Sequence, residues 1–315
     1  MLEERHHALE QQPLVSIIMN CFNGEKYLCE AIDSVLAQTY QNWELIFWDN
    51  QSTDASAKII KSYDDSRIRY FYAPNHTLLY EARNLAIKEA QGSLLAFLDV
   101  DDWWEPKKLG MQVPVFENED VGLVCGNYEV FYEKSGWGRP SWKGSKPSGW
   151  ILNELLADYH IGLLTIMLRR SAYAELGGFD PRYHIIGDFD LSLRLAEKWQ
   201  IFNLESQIAH FRFHGENESV RKQQMHIKEL QTWVKEARVR LTDTSLPSLR
   251  KLEMLIIYLN GQSSAKEKDH KTLLLALKEL FPSIRCFRLI LDVFVPHHIS
   301  IFLRKIGTDT FRFER

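Results

Sequence analysis

The stretch that most constrains the fold is the short apolar run Leu94–Leu98, which is followed at once by acidic residues. Five consecutive apolar residues suit a strand that is buried on both faces of a sheet. The run ends in three carboxylates within four positions, at Asp99, Asp101 and Asp102. Ligands of open α/β sheets bind beyond the carboxyl ends of the strands, which is where these acids fall. The sequence therefore predicts an α/β protein with a polar site at this edge.

The spacing of the acids favours a cation site. Residues two apart on an extended chain point to the same side, so Asp99 and Asp101 are predicted to converge on one point. Carboxylate oxygens bind hard divalent cations such as Mn2+ or Mg2+, and without a cation the like charges would repel each other. A metal or phosphate site is the preferred interpretation. In addition, Asp101 or Asp102 is expected to cap the helix that Pro106 announces.

Alternating strands and helices surround this stretch. Apolar runs predict strands at 14–19, 44–48 and 67–72, and helical spacing predicts helices at 25–37, 54–63 and 79–90. This alternation with short loops is typical of βαβ units on a mostly parallel sheet. Polar residues follow three of the strands, at Asn20, Asp49 and the Asp99 group. Their convergence predicts one binding face.

Composition excludes several classes of protein. At 315 residues, with 45% apolar and 25% charged residues, the chain is expected to be a soluble globule of one large domain plus an extension, or of two domains. A net charge of −4 gives no reason to expect nucleic acid as a partner. The four cysteines lack metal-ligand spacing and indicate a reducing compartment. With no signal-peptide pattern and no apolar run of about 18 residues, a cytoplasmic location is expected, with peripheral contact to the inner membrane face as an option.

Five short blocks occur in order within residues 16–104, at 16–23, 34–40, 49–54, 82–84 and 97–102. Together they resemble the family 2 glycosyltransferases of the GT-A fold. The resemblance implies a Rossmann-like, mostly parallel central sheet flanked by helices. Two positions depart from the family pattern, since Cys21 replaces the usual Thr or Ser and Asn50 replaces a frequent second Asp.

The resemblance implies a site for a nucleoside diphosphate sugar. Asp49 would lie beside the nucleotide base, Arg83 would belong to the nucleotide-binding wall, and Asp99 and Asp101 would hold Mn2+ or Mg2+ together with the sugar nucleotide. The residues expected to bind the nucleotide sugar are Asn20, Phe22, Asp49, Asn50, Arg83, Asp99, Val100 and Asp101.

A second acidic pair, Asp188 and Asp190, opens a predicted helix. Acids in a first turn complement the helix dipole, and this is the preferred interpretation of Asp190. The segment also resembles the family's acceptor-side block, whose aspartate is the catalytic base of inverting members. The resemblance thus implies that Asp188 is the base, although Gly187 replaces the family's Glu.

Residues 209–219 resemble the family's closing strand and loop. Strand alternation would place His210, Arg212 and His214 on one face. The resemblance implies that His214 contacts the metal or the diphosphate, which completes a predicted metal set of Asp99, Asp101 and His214.

The match ends near residue 220. A GT-A domain is predicted over 1–220, with a nucleotide-sugar half at about 13–105 and an acceptor half at about 106–220, and residues 221–315 are predicted to form a helical extension. Between Lys271 and Arg315, eight basic residues outnumber four acidic ones and mix with apolar runs. This mixture suits an interfacial segment on anionic lipid. Packing on the body of the protein, or on a second copy in a homodimer, is an equally favoured alternative.

These observations predict a metal-dependent inverting glycosyltransferase. It would move a sugar from a nucleoside diphosphate sugar to a hydroxyl of a saccharide or lipid-linked acceptor, in cell-surface polysaccharide or glycolipid biosynthesis. A nucleotidyltransferase is one alternative, but it would need a Gly-rich basic loop where residues 20–24 stand. A non-catalytic sugar-nucleotide-binding module is another, and the loss of Asp101 or Asp188 would have favoured it.

Overall fold

The computed structural model describes residues 12–242, 245–281, 283, 285–286 and 289. They form two compact units. The first contains the chain up to Leu155 and Tyr159–Asn217, and the second contains Leu156–Asp158 and the chain from Glu218 onward. The predicted candidate site residues all belong to the first unit.

The first unit is built on one mixed sheet. Its strands among the described residues are β1 (Val15–Cys21), β2 (Trp43–Asp49), β3 (Ile68–Tyr72), β4 (Leu94–Phe97), β5 (Trp103–Trp104), β6 (Val121–Tyr132), β7 (Trp137–Pro140), β8 (Met167–Arg169) and β9 (Gln200–Phe213). The order is β3-β2-β1-β4-β8-β6-β9-β5, and β7 pairs with β6. The first four strands of this order run parallel, whereas β8 is antiparallel to both β4 and β6.

Helices connect and flank the strands. They are α1 (Leu28–Leu36), α2 (Ser56–Ile60), α3 (Leu79–Lys88), α4 (Lys108–Gln112), α5 (Leu152–Ala157), α6 (Arg170–Glu175) and α7 (Gly187–Ala196), with 3-10 turns at Val113–Glu117 and Leu163–Thr165. All residues of β1 and β2 are buried, as a sheet covered on both faces requires. Helix α1 buries Leu28, Ala31, Ile32 and Val35 in the core, which also contains Ile17 and Phe47. The predicted α/β fold class is confirmed.

The prediction of a helix cap after the central strand is wrong. Trp103 and Trp104 form β5 and pair with β9, and helix α4 then starts at Lys108 without a side-chain cap. Asp102 is instead buried and accepts a hydrogen bond from the backbone N–H of Arg212 at 2.9 Å. The strand pairing explains the difference, because it takes up the residues that would otherwise have led into the helix.

The second unit is helical, as predicted for the C-terminal region. Its helices are α8 (Glu218–Arg221), α9 (Gln223–Arg240), α10 (Leu246–Lys266) and α11 (His270–Leu280). Helix α9 buries Ile227, Leu230, Trp233, Val234 and Ala237. No helix within the described part of the chain is both long enough and apolar enough to cross a membrane. Most of the basic segment after residue 281 lies outside the described residues.

Candidate active site

The carboxyl ends of the parallel strands lie next to one another. Cys21 at the end of β1 pairs with Asp49 at the end of β2, and Ile18 pairs with Phe97 at the end of β4. This register brings Asn20, Asp49 and the acids that follow β4 to one edge of the sheet. The predicted convergence of the three polar clusters is therefore observed.

Reciprocal hydrogen bonds join the loops after β1 and β2. The Oγ of Ser52 accepts from the backbone N–H of Asn23 at 3.0 Å, and the Oδ1 of Asn23 accepts from the backbone N–H of Thr53 at 2.8 Å. The backbone N–H of Gly24 donates to Oγ of Ser56 at 2.9 Å. Together these bonds fix the loop after β1 against the loop after β2.

Gly24 also lets the first loop approach Val100. A Cβ atom on Gly24 would lie 2.8 Å from Cγ2 of Val100, closer than side-chain carbons pack. Val100 is partly buried between the two acids that precede and follow it. The close packing of Val100 on Gly24 holds the acidic loop against the loop after β1.

The carboxylate of Asp49 is fully buried. Its Oδ1 accepts from the backbone N–H of Ser52 at 2.7 Å, and its Oδ2 accepts from the hydroxyl of Tyr70 at 2.8 Å. Burial, and then the bond to Asp49, raise the pKa of Tyr70, so this hydroxyl stays a donor. The predicted contact of Asp49 with a nucleotide base stays a prediction, and in the structure Asp49 supports the loop and β3.

Asn50 and Phe22 lie beside His76. The side-chain amide of Asn50 donates to the carbonyl of Thr77 at 2.9 Å and accepts from its N–H at 3.2 Å. The Nδ1 of His76 is 2.8 Å from the carbonyl oxygen of Asn50. The ring of Phe22, which is 53% exposed, has its centroid 4.5 Å from that of His76. An exposed aromatic ring held at this edge can stack on a planar ligand.

Arg83 connects α3 to the acidic loop. Its Nη2 lies 2.5 Å from Oδ1 of Asp99, and its side chain is 2% exposed whereas that of Asp99 is 36% exposed. Burial opposes the charge of Arg83, but Asp99, Tyr80 and Asp188 together outweigh burial and raise the pKa of Arg83. The structure places Arg83 against the acidic loop, and its predicted contact with the nucleotide stays a prediction.

Several buried polar atoms at this edge have no partner. Among the described residues, these include Nδ2 and Oδ1 of Asn20 and Nη1 of Arg83. Buried polar groups in native proteins are nearly always hydrogen-bonded, so each exception needs a cause. A polar ligand bound at this edge would supply the hydrogen-bond partners that these donors and this acceptor lack.

His214 contacts Asp101, although the two residues are far apart in sequence. Its Nε2 lies 3.0 Å from Oδ2 of Asp101, and its Nδ1 accepts from the backbone N–H of Glu216 at 3.2 Å. The ring also stacks on Tyr27 with a centroid distance of 5.3 Å. The structure thus brings together two of the three predicted metal ligands.

Asp188 lies in the first turn of α7 and faces α3. Its Oδ1 accepts from the hydroxyl of Tyr80 at 2.7 Å. Burial raises the pKa of Asp188 above the ordinary aspartate value, and the bond from Tyr80 acts in the opposite direction. A carboxylate with raised proton affinity is a better general base than an exposed one. Sequence reasoning missed Tyr80, although its position three residues before Arg83 places both on one helix face.

Asp190 has a different environment. It is buried and forms an ion pair with Arg194 one helical turn later, with an N–O distance of 2.7 Å. Arg194 also donates to the carbonyls of Leu176 at 3.0 Å and Gly178 at 2.8 Å. Asp190 therefore holds α7 to the preceding loop, in agreement with its interpretation as a structural acid.

Within the described residues, no group of three or more His, Cys, Asp and Glu side chains is already arranged around one metal position. The carboxylates of Asp99 and Asp101 remain partly exposed, at 36% and 27%. Asp102 is only 4% exposed and is engaged by Arg212. Of the three acids that follow β4, Asp99 and Asp101 are therefore the ones whose carboxylates are open to solvent.

A mixed sheet with loops, acids and unpaired polar atoms at its carboxyl edge is a Rossmann-like arrangement, in which ligands bind beyond the strand ends. The profile of the family described as Glycosyl transferase family 2 matches residues 16–177, just over half of the chain. The chain belongs to this family. Membership of this family argues against the nucleotidyltransferase that was one alternative from sequence.

Individual relatives agree with the family match. The chain is 39% identical over 158 residues to the UDP-Glc:alpha-D-GlcNAc-diphosphoundecaprenol beta-1,3-glucosyltransferase WfgD of Escherichia coli, covering 50% of this chain and 61% of that protein. The chain thus matches about three fifths of the length of WfgD.

Two solved structures share the fold. Residues 1–349 of TarS from S. aureus, in complex with UDP-GlcNAc, align with a TM-score of 0.62 at 15% identity, covering 94% of this chain and 88% of that one. The mannosyltransferase PcManGT from Pyrobaculum calidifontis, in complex with GDP-Man and Mn2+, aligns with a TM-score of 0.60 at 15% identity, covering 95% and 81%.

Proposed function

We propose that the protein transfers a sugar from a nucleoside diphosphate sugar to an acceptor hydroxyl with inversion, and that Asp188 is the general base. One observation carries this proposal. Tyr80 and Arg83 lie three residues apart on α3, where Tyr80 contacts Asp188 and Arg83 contacts Asp99. One helix face thus holds the candidate base and the donor-side acid, so that an acceptor and a donor can meet beside it.

The nucleotide is proposed to bind along the edge formed by the loops after β1 and β2. Phe22 would stack on the base, and Asn50 and Val100 would line the nucleotide-binding surface. Asp49 would lie beside the base and would hold the surrounding loop in place through its bonds to Tyr70 and Ser52. The unpaired polar atoms of Asn20 and Arg83 would meet the nucleotide sugar. That TarS and PcManGT were solved with nucleotide sugars supports a donor of this class.

The metal is proposed to be Mn2+ or Mg2+, held by Asp99, Asp101 and His214. The donor chemistry fits, because two partly exposed carboxylates at one strand end suit a hard cation and an imidazole is an accepted additional ligand. The Mn2+ in the PcManGT complex supports the same class of cation. When bound, such a cation acts as a Lewis acid that neutralises charge on the departing diphosphate.

Asp188 is proposed to accept the proton of the acceptor hydroxyl as its oxygen attacks the anomeric carbon. Attack from the side opposite the diphosphate inverts the configuration at that carbon. The carboxylate must be ionised for this step, and its raised pKa increases its affinity for the incoming proton. The bond from Tyr80 engages Oδ1 of this carboxylate.

The acceptor is proposed to be a saccharide carried on a lipid diphosphate, in the synthesis of a cell-surface glycan. The name of WfgD, a glucosyltransferase acting on a diphosphoundecaprenol-linked sugar, supports this class. The catalytic domain would span residues 1–220, with the acceptor half at about 106–220. The basic C-terminal segment would place the protein on the cytoplasmic membrane face, with a homodimer contact as the alternative.

Product analysis tests the proposal. The full chain would be incubated with Mn2+, with UDP-, dTDP- and GDP-sugars in turn, and with a short set of polyprenyl diphosphate saccharides. We expect one donor to yield a product larger by one sugar in mass spectrometry, and NMR to show inversion at its anomeric carbon. The Asp188→Asn variant serves as the control that should bind the donor without transfer. A product with retained configuration would contradict the assignment of Asp188 as a simple base.

A further inference from the structure

We propose that Tyr80 is a positioning residue that fixes the carboxylate of Asp188, and that Gly187 is the residue that leaves room for its ring. This inference rests on the proposed role of Asp188 as general base. It assigns a task to a buried tyrosine that is not part of the nucleotide edge. Three features of the contact carry it: the hydrogen bond, the packing of the ring and the space at Gly187.

The hydroxyl of Tyr80 has a defined direction. It lies 2.7 Å from Oδ1 of Asp188 and 3.3 Å from the carbonyl oxygen of Ile185. An ionised carboxylate only accepts hydrogen bonds, so the hydroxyl donates to Asp188 over the shorter distance. Burial and the neighbouring Asp188 raise the pKa of Tyr80 well above its usual value, which keeps this donor protonated.

The ring of Tyr80 is buried against two neighbouring side chains. It is 3% exposed, its centroid lies 5.0 Å from that of Phe179, and the guanidinium of Arg83 lies 4.8 Å from it. A tyrosine fixed in this way has little freedom to turn its hydroxyl away. The carboxylate that it contacts is therefore held in a fixed orientation through Oδ1.

Gly187 makes this packing possible. A Cβ atom at this position would lie 2.5 Å from both Cγ and Cδ2 of Tyr80 and 2.6 Å from Cε2, a distance at which the ring would have to move. The glycine precedes Asp188 directly, so the ring of Tyr80 lies against the backbone that carries the carboxylate. The departure from the family pattern at Gly187 thus has a packing cause, because a longer side chain and the Tyr80 ring exclude each other.

The pKa of Asp188 depends on the polar and charged groups that surround its carboxylate. From α3 these are the Tyr80 hydroxyl and the Arg83 guanidinium, and both favour the ionised form. The buried phenols of Tyr159 and, from β6, of Tyr128 also interact with its charge. Of these groups, Tyr80 is the one for which a direct hydrogen bond to the carboxylate is observed. Removing its hydroxyl should therefore raise the pKa of Asp188 further.

The test compares Tyr80→Phe with Tyr173→Phe in the full chain. Tyr173 packs against the same Phe179 ring, but its buried hydroxyl donates to Asn84 instead of Asp188. For Tyr80→Phe we expect kcat at pH 7 to fall about tenfold, since misplacing a reacting group can cost up to about 10²-fold. The acid limb of the kcat–pH profile should move to higher pH, with the donor KM nearly unchanged. Tyr173→Phe should leave the acid limb where it is.

A second measurement does not depend on turnover. Carbon NMR of the labelled Asp188 carboxyl, assigned with Asp188→Asn, reports its titration directly. We expect an upward shift of its pKa in Tyr80→Phe and no shift in Tyr173→Phe. Gly187→Ala, which must displace the ring, should change the same resonance in the direction of Tyr80→Phe.

The outcomes separate the two proposals. An unchanged Asp188 titration in Tyr80→Phe overturns the positioning role, whether or not the protein transfers sugar. Equal effects of the two tyrosine variants on the acid limb would overturn it as well. If the wild-type chain shows no transfer with any donor while the resonance shifts as expected, the contact stands and the proposed reaction fails.

Discussion

The Nε2 atom of His214 lies 3.0 Å from Oδ2 of Asp101, although 113 residues separate them in sequence. Strand alternation alone predicted that His210, Arg212 and His214 would share a face, but their contacts diverge. His210 lies between Glu105 and Glu129, with its two ring nitrogens 2.8 and 2.9 Å from their carboxylates. Of the two histidines, His214 is therefore the one that contacts a predicted metal ligand.

The metal proposal predicts a sharp difference between adjacent acids. Asp101→Asn should abolish Mn2+-dependent binding of a nucleoside diphosphate while the protein stays folded, because it removes a partly exposed carboxylate. Asp102→Asn is the matched control, since that side chain is buried and is engaged by Arg212. Calorimetric titration with and without Mn2+ measures both. Unchanged metal-dependent affinity in Asp101→Asn would contradict the site.

The base proposal predicts a rate effect without a binding effect. Asp188→Asn should lower kcat by about 10²–10⁴-fold, the usual contribution of a general base, with little change in donor affinity. Asp190→Asn should instead lower the free energy of unfolding by about 3 kcal/mol, because it breaks a buried pair with Arg194. Steady-state kinetics and urea unfolding of both variants decide. A near-normal rate for Asp188→Asn beside an inactive, well-folded Asp190→Asn would mean that the other aspartate is the base.

The raised pKa of Asp188 has a consequence for stability. A carboxyl that binds its proton more tightly in the folded chain destabilises the fold once it is ionised. The cost is about 1.4 kcal/mol for each pKa unit by which the folded-state value exceeds the unfolded-state value. This cost is absent below the ordinary aspartate value and is complete above the raised value. Asp188→Asn should therefore have a higher Tm than the parent at pH 7, and the difference should vanish near pH 4. Scanning calorimetry at both pH values tests this, and a lower Tm at pH 7 would contradict it.

The stacking proposal concerns Phe22. Base–aromatic stacking contributes about 1–3 kcal/mol by alanine substitution, so Phe22→Ala should weaken nucleoside diphosphate binding roughly 5- to 150-fold. Trp150→Ala removes another exposed aromatic, 62% exposed, and should leave that affinity unchanged. Fluorescence titration with the nucleotide alone would compare the two. Equal losses would show that exposed aromatic area in general, and not Phe22, determines the affinity.

The basic C-terminal segment lies mostly outside the described residues, and its proposed membrane contact is tested in the full chain. Arg304, Lys305 and Arg312 would each be changed to Gln. At about 1 kcal/mol per basic residue, the triple change should weaken binding to phosphatidylserine vesicles about a hundredfold at low salt. Donor binding should stay as in the parent. A wild-type chain that ignores such vesicles would favour packing or dimerisation, and sedimentation would then report the second copy.

The sequence determined the parallel part of the fold and its polar edge. Apolar runs followed directly by Asn20, Asp49 and Asp99 carry this information locally, since strand length, burial and the side to which alternate residues point depend on neighbouring positions. The family blocks predicted roles for Arg83, Asp101 and Asp188 in the same way. These features depend on short-range pattern, which one sequence displays in full.

Only the tertiary structure decided which of these residues meet. The contact of Tyr80 with Asp188, the space that Gly187 leaves for it and the pairing of Asp190 with Arg194 depend on how α3 and α7 pack. Asp49 is a further case, because its burial beside Tyr70 follows from the pairing of β2 with β3. The physical reason is that hydrogen bonding and burial are properties of distances between residues far apart in sequence, and local pattern contains no measure of those distances.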